Sequence, residues 1–259
     1  MAVVNRVSDE PAFVLHRYDW SESSLIVEAW SRHHGRVALV AKGAKKPSSQ
    51  LRPVLLPLQS LRMGWWGDAE IRTLKSAQWA GGAVMPQGDA LLAGLYLNEL
   101  LMRMLARDDP HPDLFDIYAR AVADLSQPDL RLGVLRATEL HLLRALGLLP
   151  SLAVHGTTHK PLEAQRVFRL EVEQGLQAQP VGGLSGAVWS SLEVALADLN
   201  LWSDMVTLCV QHEVALRPQL RVALQYHSGV LAFRSRQLWL DVAAVSQRAS
   251  ATISAQSSR

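Results

Sequence analysis

The first 80 residues alternate between short apolar runs and turn residues. Within the runs, apolar or β-branched side chains recur at alternate positions, the period of strands with one buried face. This pattern predicts five strands, at Ala12–His16, Ser23–Ser31, Arg36–Ala41, Leu55–Trp65 and Glu70–Trp79. His34-Gly35 and Gly67-Asp68 fall between neighbouring runs, where hairpins turn. Five short strands within about 70 residues favour a small closed barrel, and the OB-fold is the commonest five-stranded one.

After Gly81-Gly82 the apolar residues recur every three or four positions, which is the spacing of helices. The predicted helices are Asp89–Arg107, Asp113–Leu125, Leu130–Leu146, Ala187–Leu196, Asp204–Leu216, Gln219–Tyr226 and Arg236–Val242. Residues 151–180 follow neither pattern, apart from one short hairpin around Val167–Val172.

The predicted fold class is therefore α+β, with an N-terminal five-stranded OB-fold barrel and an all-helical C-terminal domain. We expect the barrel domain to cover residues 1–80 and the helical domain residues 81–245. Residues 246–259 are rich in serine, alanine and glutamine and predict a disordered tail.

The composition excludes several classes of protein. A single cysteine, Cys209, forbids an intrachain disulfide and a four-cysteine zinc site, and it fits a reducing compartment. The stretch Met1–Phe13 carries two acidic residues and no apolar run, unlike a secretory signal. No 18-residue apolar stretch free of charge is present, so we expect no membrane span and a cytoplasmic location.

Charge is distributed unevenly along the chain. The net charge is only +2 over 259 residues, but residues 1–80 hold eleven basic and seven acidic side chains. Residues 29–67 hold seven basic side chains and no acidic one. Such a local excess indicates a surface for a polyanion, with a solvated basic face as the alternative.

No convincing catalytic signature is present. The sequence has no glycine-rich phosphate loop, no HExxH and no GxSxG. Asp108-Asp109 precedes a proline at a predicted helix end, where a cap or turn is the ordinary role, and Cys209 lies in an apolar helix as a core residue would. His155 and His159 lack a third ligand, so they predict surface histidines rather than a metal site. We expect no enzyme, no cofactor and no metal.

Basic loops on a small barrel with exposed aromatic rings are typical of proteins that hold single-stranded nucleic acid. Trp30 and Trp79 are predicted to pack, whereas the adjacent Trp65 and Trp66 must point to opposite faces, so that one is exposed or shielded by the helices. The predicted phosphate contacts are Arg17, Arg32, Arg36, Lys42, Lys45, Lys46 and Arg52.

Several stretches resemble the RecO family of bacterial DNA-repair and recombination mediators. The segments 12–17, 23–27 and 34–47 are similar to its N-terminal barrel, above all the sequence Lys42-Gly43-Ala44-Lys45-Lys46 after a Gly-Arg strand. Residues 135–147 are similar to its central helix, and residues 227–229 with 234–236 to its C-terminal signature. The pieces occur in the family's order over most of the chain.

The resemblance implies an N-terminal OB-fold, a helical C-terminal domain and no bond-making active site. It implies binding of single- and double-stranded DNA, annealing of complementary strands, and loading of the RecA recombinase onto strands coated by the single-strand-binding protein SSB. The implied partners are RecR and the acidic C-terminal tail of SSB. Many members carry a zinc-binding cysteine cluster after the central helix, but Ser151–Arg169 has no cysteine, so we expect no structural zinc.

The tail of SSB is implied to be acidic, with apolar last residues and a free carboxylate. A receptor for it needs an apolar groove with a cationic rim. The predicted helix Leu130–Leu146 offers leucines 132, 135, 142 and 146 for the groove or core, and the arginines Arg131, Arg136 and Arg144 for the rim. Arg136 is the first choice because it lies in the stretch similar to the central helix; the alternative is an ordinary surface arginine on a core helix.

Two other functions remain open at the level of sequence. One is a different OB-fold binder, for instance of RNA, which would prefer RNA over DNA in competition. The other is a helical interaction scaffold whose barrel binds no nucleic acid, which would show no salt-dependent affinity for DNA.

Overall fold

The structure is a computed structural model that describes residues 6–82, 85–230, 232–235 and 238. Five N-terminal strands come first: β1 (Arg6–Asp19), β2 (Leu25–Ser31), β3 (Gly35–Ala41), β4 (Ser60–Trp66) and β5 (Ile71–Trp79). They pair in the order β1-β2-β3-β5-β4, and because β1 also pairs with β4, the sheet closes on itself as a barrel. All neighbours are antiparallel except β3 and β5. The predicted α+β class and the five N-terminal strands are confirmed.

Strand β1 is longer than predicted because two bulges interrupt its alternation, between Val7 and Glu10 and between Val14 and His16. Strand β4 begins at Ser60 rather than at Leu55. The preceding residues include Leu55 and Leu58, which are buried, but Leu58 has a φ of 64°, outside the strand region. The sequence pattern includes these buried residues in the strand, so the predicted strand begins five residues too early.

Six helices follow: α1 (Asp89–Met104), α2 (Pro112–Asp124), α3 (Arg131–Ala145), α4 (Gly186–Ala197), α5 (Trp202–Gln211) and α6 (Glu213–Ser228). Helix α3 is central, with every side chain from Gly133 to Leu143 buried. The break between the last two helices was predicted at Pro218 and lies at His212 instead, with Pro218 inside α6. The predicted helix Arg236–Val242, except Leu238, and the tail 246–259 lie outside the described residues.

The prediction of an all-helical C-terminal part is wrong. A three-stranded antiparallel sheet lies between α3 and α4, formed by β6 (Val167–Glu171), β7 (Gly175–Ala178) and β8 (Leu184–Ser185) in the order β7-β6-β8. Its strands are too short to show a clear period of two, so only the first hairpin was predicted. The indole nitrogen of Trp189 donates to the carbonyl of Phe168 at 3.0 Å and fastens this sheet to α4.

The described residues form two hydrophobic clusters, one inside the barrel and one that joins an outer wall of the barrel to the helices. On β1, Ala12 and Val14 point into the barrel, whereas Phe13 and Leu15 point toward the helices. Phe13 lies edge-on to Tyr118 of α2, with 5.0 Å between the ring centroids. One wall of the barrel is therefore covered by α1 and α2, and the opposite walls and the loops remain available to solvent.

Polar contacts fix the same junction. The side-chain amide of Asn98 on α1 donates to the carbonyl of Leu15 at 3.0 Å, at the second bulge of β1, and the Tyr118 hydroxyl donates to Asn98. At the β2–β3 turn, Gly35 has a φ of 67°, and an added Cβ would lie 2.3 Å from the carbonyl oxygen of Asp109. The turn is therefore pressed against the segment between α1 and α2.

None of the helices within the described ranges is long and apolar enough to cross a membrane. Cys209 is fully buried in α5, as predicted, and burial raises the pKa of its thiol well above the usual range.

Candidate nucleic-acid interface

The basic segment that follows β3 forms a compact series of turns at one end of the barrel. The backbone nitrogen of Lys46 donates to the carbonyl of Gly43 at 3.1 Å, and that of Ser49 donates to Lys46 at 3.0 Å. Ala44 is fully buried and anchors the segment to the barrel core. The segment is ordered without being a strand, in agreement with its turn-rich sequence.

This segment lies against the loop between β1 and β2. The backbone nitrogen of Lys45 donates to the carbonyl of Ser23 at 2.9 Å, and its ammonium donates to the carbonyl of Ser21 at 3.1 Å. The same ammonium lies 3.3 Å from the exposed carboxylate of Asp19. The two loops are therefore held side by side, and their side chains form one continuous surface.

We call this surface the loop interface, and five of the seven predicted DNA contacts lie on it: Arg17, Lys42, Lys45, Lys46 and Arg52. Arg17, Lys45 and Arg52 line a shallow depression, and Lys42 and Lys46 are exposed beside it. Lys42, Lys46 and Arg52 form no ion pair with any described residue. An unneutralised cluster of this kind attracts polyanions over a distance of about 8 Å in physiological salt.

The other two predicted contacts, Arg32 and Arg36, lie at the junction with the helices. Arg32 forms a two-pronged ion pair with Asp116 of α2, with N–O distances of 2.8 and 2.9 Å, and this hydrogen bond lowers the pKa of the Asp116 carboxyl. Arg36 is mostly buried, 3.5 Å from the buried carboxylate of Glu28. Since each guanidinium is paired with a buried or partly buried carboxylate, unlike Lys45 with the exposed Asp19, we exclude both arginines from the proposed DNA contacts.

The tryptophans divide between core and surface. Trp30 is fully buried, as predicted, and Trp65 and Trp66 point to opposite faces, with exposed fractions of 1% and 43%. The prediction that Trp79 packs is wrong: Trp79 is the last residue of β5 and is 56% exposed. Trp20, which is 61% exposed, lies in the β1–β2 loop beside the cations.

A second candidate site is an apolar groove of about 220 Å³ between α1, α3 and α6. Its apolar wall is formed by Leu92, Ala93, Tyr96, Leu132, Leu135, Leu224, Ala232 and Phe233. The predicted groove residues Leu132 and Leu135 lie here, whereas Leu142 is buried in the core and Leu146 packs against that core. We call this site the helical groove.

Of the three arginines predicted for its rim, Arg136 alone lies in the helical groove. It is buried and donates to the Glu139 carboxylate at 2.8 Å, and the hydroxyl of Tyr96 donates to the same oxygen at 2.8 Å. Burial raises the pKa of Glu139 even though the nearby Arg136 lowers it in part. Arg136 is thus partly neutralised at the floor of the groove.

The structure gives Arg131 and Arg144 other contacts. Arg131 donates to the carbonyl of Leu125 at 3.0 Å and lies 3.8 Å from Asp89. Arg144 forms a two-pronged pair with Glu193 of α4, at 2.6 and 3.0 Å. Burial alone would raise the pKa of Glu193, but hydrogen bonds from Arg144 and from the backbone of Leu152 lower it on balance. Both arginines join helices or loops outside the groove.

Sequence reasoning missed two cations of the helical groove, Arg217 and Arg221 on α6. Their spacing of four places them on one helix face. Neither forms an ion pair with a described residue. One predicted helix ends at Leu216 and the next begins at Gln219. Arg221 was therefore placed in a helix that did not include Arg217, and the spacing of the two arginines on one helix face was missed.

The residues described by the structure contain no group of three or more His, Cys, Asp or Glu side chains that could hold a metal ion. His155 accepts a hydrogen bond from the backbone nitrogen of Thr157 through Nδ1, at 3.2 Å. The ring thus takes part in a local turn contact.

Comparison with known proteins matches both parts of the chain to one family. A model described as "Recombination protein O N terminal" matches residues 6–83, and one described as "Recombination protein O C terminal" matches residues 85–237. The curated DNA repair protein RecO of Polaromonas naphthalenivorans is 56% identical over 245 residues, covering 93% of this chain and 98% of the relative. The RecO protein of Variovorax paradoxus is 54% identical over 257 residues, covering 95% of this chain and the whole relative.

Proposed function

This chain belongs to the RecO family of DNA repair proteins, and from that premise we propose that it is a DNA-binding recombination mediator. It binds and anneals single-stranded DNA, binds double-stranded DNA, and helps load RecA onto strands coated by SSB. RecR and the acidic tail of SSB are its protein partners, and it works at the nucleoid of the bacterial cytoplasm.

The observation that carries the DNA-binding proposal is the loop interface. The strand order β1-β2-β3-β5-β4 with a parallel β3–β5 pair supports assigning the barrel as an OB-fold. The cations of the loop interface neutralise phosphates, and the exposed ring of Trp20 offers a stacking surface for one base.

Annealing by such a surface needs no bond-making chemistry, so we propose no enzymatic activity. Two single strands repel each other through their phosphates, and a cationic surface lowers that repulsion. Base pairing then supplies the free energy of duplex formation. The protein's contribution is charge screening and alignment.

The experiment that tests this function is strand annealing in the presence of the cognate SSB. The protein should accelerate annealing of complementary strands that SSB coats, and raising the salt concentration should reduce this acceleration. If bare and SSB-coated strands anneal at the same rates with and without the protein, the proposed function is wrong. Stronger binding of RNA than DNA in direct competition would favour an RNA-binding protein instead.

The helical groove supports the proposed binding of the SSB tail. An acidic peptide with apolar last residues needs an apolar wall and cations that carry no competing carboxylate. Arg217 and Arg221 meet this requirement better than Arg136, which Glu139 already neutralises in part. Arginine holds a terminal carboxylate in a two-pronged geometry, which favours these residues over any lysine.

A further inference from the structure

A second cationic and aromatic surface lies on the outer wall of the barrel, away from the loop interface. Along β4, the side chains of Leu61, Met63 and Trp65 are buried, and those of Arg62 and Trp66 are exposed. Arg6 of β1 pairs with Trp66. Lys75 of β5 is exposed on the same wall. We call this surface, formed by Arg6, Arg62, Trp66 and Lys75, the strand face.

Gly64 lies between Arg62 and Trp66 in the middle of the strand face. A Cβ at this position would lie 2.7 Å from the hydroxyl of Ser76 and 3.3 Å from the carbonyl oxygen of Val7. The neighbouring strands therefore leave no room for a side chain there. Between Arg62 and Trp66, β4 itself therefore contributes no side chain, and Ser76 and the backbone of Val7 fill the space above Gly64.

The charge of the strand face favours an anionic occupant. The ammonium of Lys75 lies 3.6 Å from the centroid of the Trp66 ring, in a cation–π contact. Neither Lys75 nor Arg6 forms an ion pair with any residue that the structure describes. Arg62 has Asp9 at 3.7 Å, but both side chains are largely exposed, so this pair is weak.

An exposed aromatic ring among cations is the chemistry that holds single-stranded nucleic acid, since the ring stacks on a base and the cations contact phosphates. Strand β1 links this face to the loop interface: Arg6 begins the strand, whereas Arg17 lies near its other end. The eleven steps from Arg6 to Arg17 correspond to at most roughly 36 Å, because two bulges shorten the strand. Arg6 and Arg17 are thus far apart along β1, whereas Lys42 and Lys75 each lie two residues past the paired residues Val40 and Thr73 on neighbouring strands.

We propose that the strand face binds a second stretch of single-stranded nucleic acid while the loop interface binds the first. The proposal rests on the proposed function and extends it, because one barrel then holds two strands at once. Trp66 stacks on a base of the second strand, and Arg6, Arg62 and Lys75 contact its phosphates.

The test counts bound oligonucleotides. Full-length protein is titrated with labelled oligothymidylate of about 12 nucleotides, a length within the range that one OB-fold covers. The wild type should bind two molecules per chain. At the same concentrations Trp66→Ala should bind one, because the affinity of its second site is reduced about tenfold or more. Trp66→Phe should keep most of the second site, and Lys75→Ala should weaken it. The matched control is Trp79→Ala, which removes an exposed tryptophan outside this face and should change nothing.

The outcomes separate this inference from the proposed function. If the wild type binds one oligonucleotide, and alanine at Lys42, Lys45 and Lys46 weakens it while Trp66→Ala does not, the strand face is not a DNA site and the proposed function stands. If the wild type binds none, both proposals are wrong. If Trp66→Ala keeps two sites of unchanged affinity, the strand face is not a DNA site, even if Trp66 binds another partner.

Discussion

Basic residues serve different purposes in the loop interface and in the rest of the protein. In the loop interface, Lys42 and Lys46 project into solvent with no carboxylate of a described residue within ion-pairing distance. At the junction and in the helical body, Arg36, Arg136 and Arg144 each contact a carboxylate that is buried or partly buried. The difference teaches that a buried or partly buried carboxylate within about 4 Å, and not the local sequence, decides whether a cation stabilises the fold or is available to a ligand.

The largest expected effect comes from the junction, where Glu28 is buried between Arg107 at 2.5 Å and Arg36 at 3.5 Å. Glu28→Ala should lower the free energy of unfolding by about 3–5 kcal/mol, because two guanidinium groups lose a buried partner. Denaturant unfolding measures this. The control is Glu70→Ala, which removes an exposed partner of the same Arg107 and should cost less than about 1 kcal/mol. Equal losses from both variants would contradict the comparison.

The pH dependence of stability should reveal a second buried group, His141 of α3. Burial, with smaller contributions from Arg144 and Arg120, lowers the pKa of His141 to about 4. Between pH 6.5 and 4 the unfolded chain therefore binds more protons at this site than the folded one, so stability is lost as the pH falls through this window.

The loss due to His141 should reach about 3 kcal/mol near pH 4, because the pKa of His141 falls from 6.5 in the unfolded chain to about 4 in the folded protein. Unfolding curves of the wild type and His141→Gln at several pH values measure it: the wild type should lose stability relative to His141→Gln as the pH falls from 6.5 to 4. A constant difference between the two proteins would mean that His141 does not carry this titration.

The helical groove provides a smaller and more specific effect. Arg217→Ala and Arg221→Ala should each weaken binding of the acidic SSB tail peptide by about 1.5–3 kcal/mol, the value of one charge-assisted contact, and leave binding of single-stranded DNA nearly intact. Arg166→Ala, which removes an exposed arginine near the small sheet, is the control. Peptide titrations and DNA titrations are compared for each variant.

Arg136→Ala should behave differently from the variants of α6. It leaves the buried Glu139 without its cation, so it should lower the stability of the protein together with the affinity for the peptide. If Arg136→Ala weakens the peptide alone, with unchanged unfolding, the assignment of Arg136 to the fold is wrong and the sequence-based choice of this arginine is right.

The smallest effect on the fold, with a clear effect on binding, is expected from the loop interface. Replacing Lys42, Lys45 and Lys46 together with alanine should weaken binding of single-stranded DNA about equally for all sequences. The slope of log affinity against log salt should decrease by roughly 2, from about 0.7 per lost phosphate contact. The free energy of unfolding should remain within about 1 kcal/mol of the wild type, since Lys42 and Lys46 are exposed and the ion pair of Lys45 is with an exposed carboxylate. An unchanged salt slope would place the DNA path elsewhere.

The sequence predicted what depends on local pattern. Alternation located the five strands, and spacing located α1, α2 and α3 to within a few residues. It could not reveal contacts with distant residues: Asp116, the partner of Arg32, lies 84 residues away, so nothing near Arg32 in the sequence indicated that this arginine is paired. It also failed at Pro218, because a proline suggests a helix break that the packing of α6 overrides.

The glycine at the β2–β3 turn has a consequence for protein engineering. Gly35 contacts the backbone of Asp109, and the backbone nitrogen of Asp108 donates to the carbonyl of Arg36 at 3.0 Å. A barrel transplanted into another protein would lose these contacts and uncover Phe13, Leu15, Trp30 and Leu58. A graft that is to keep the barrel's shape must therefore carry α1, α2 and the segment between them, or replace this wall with polar residues.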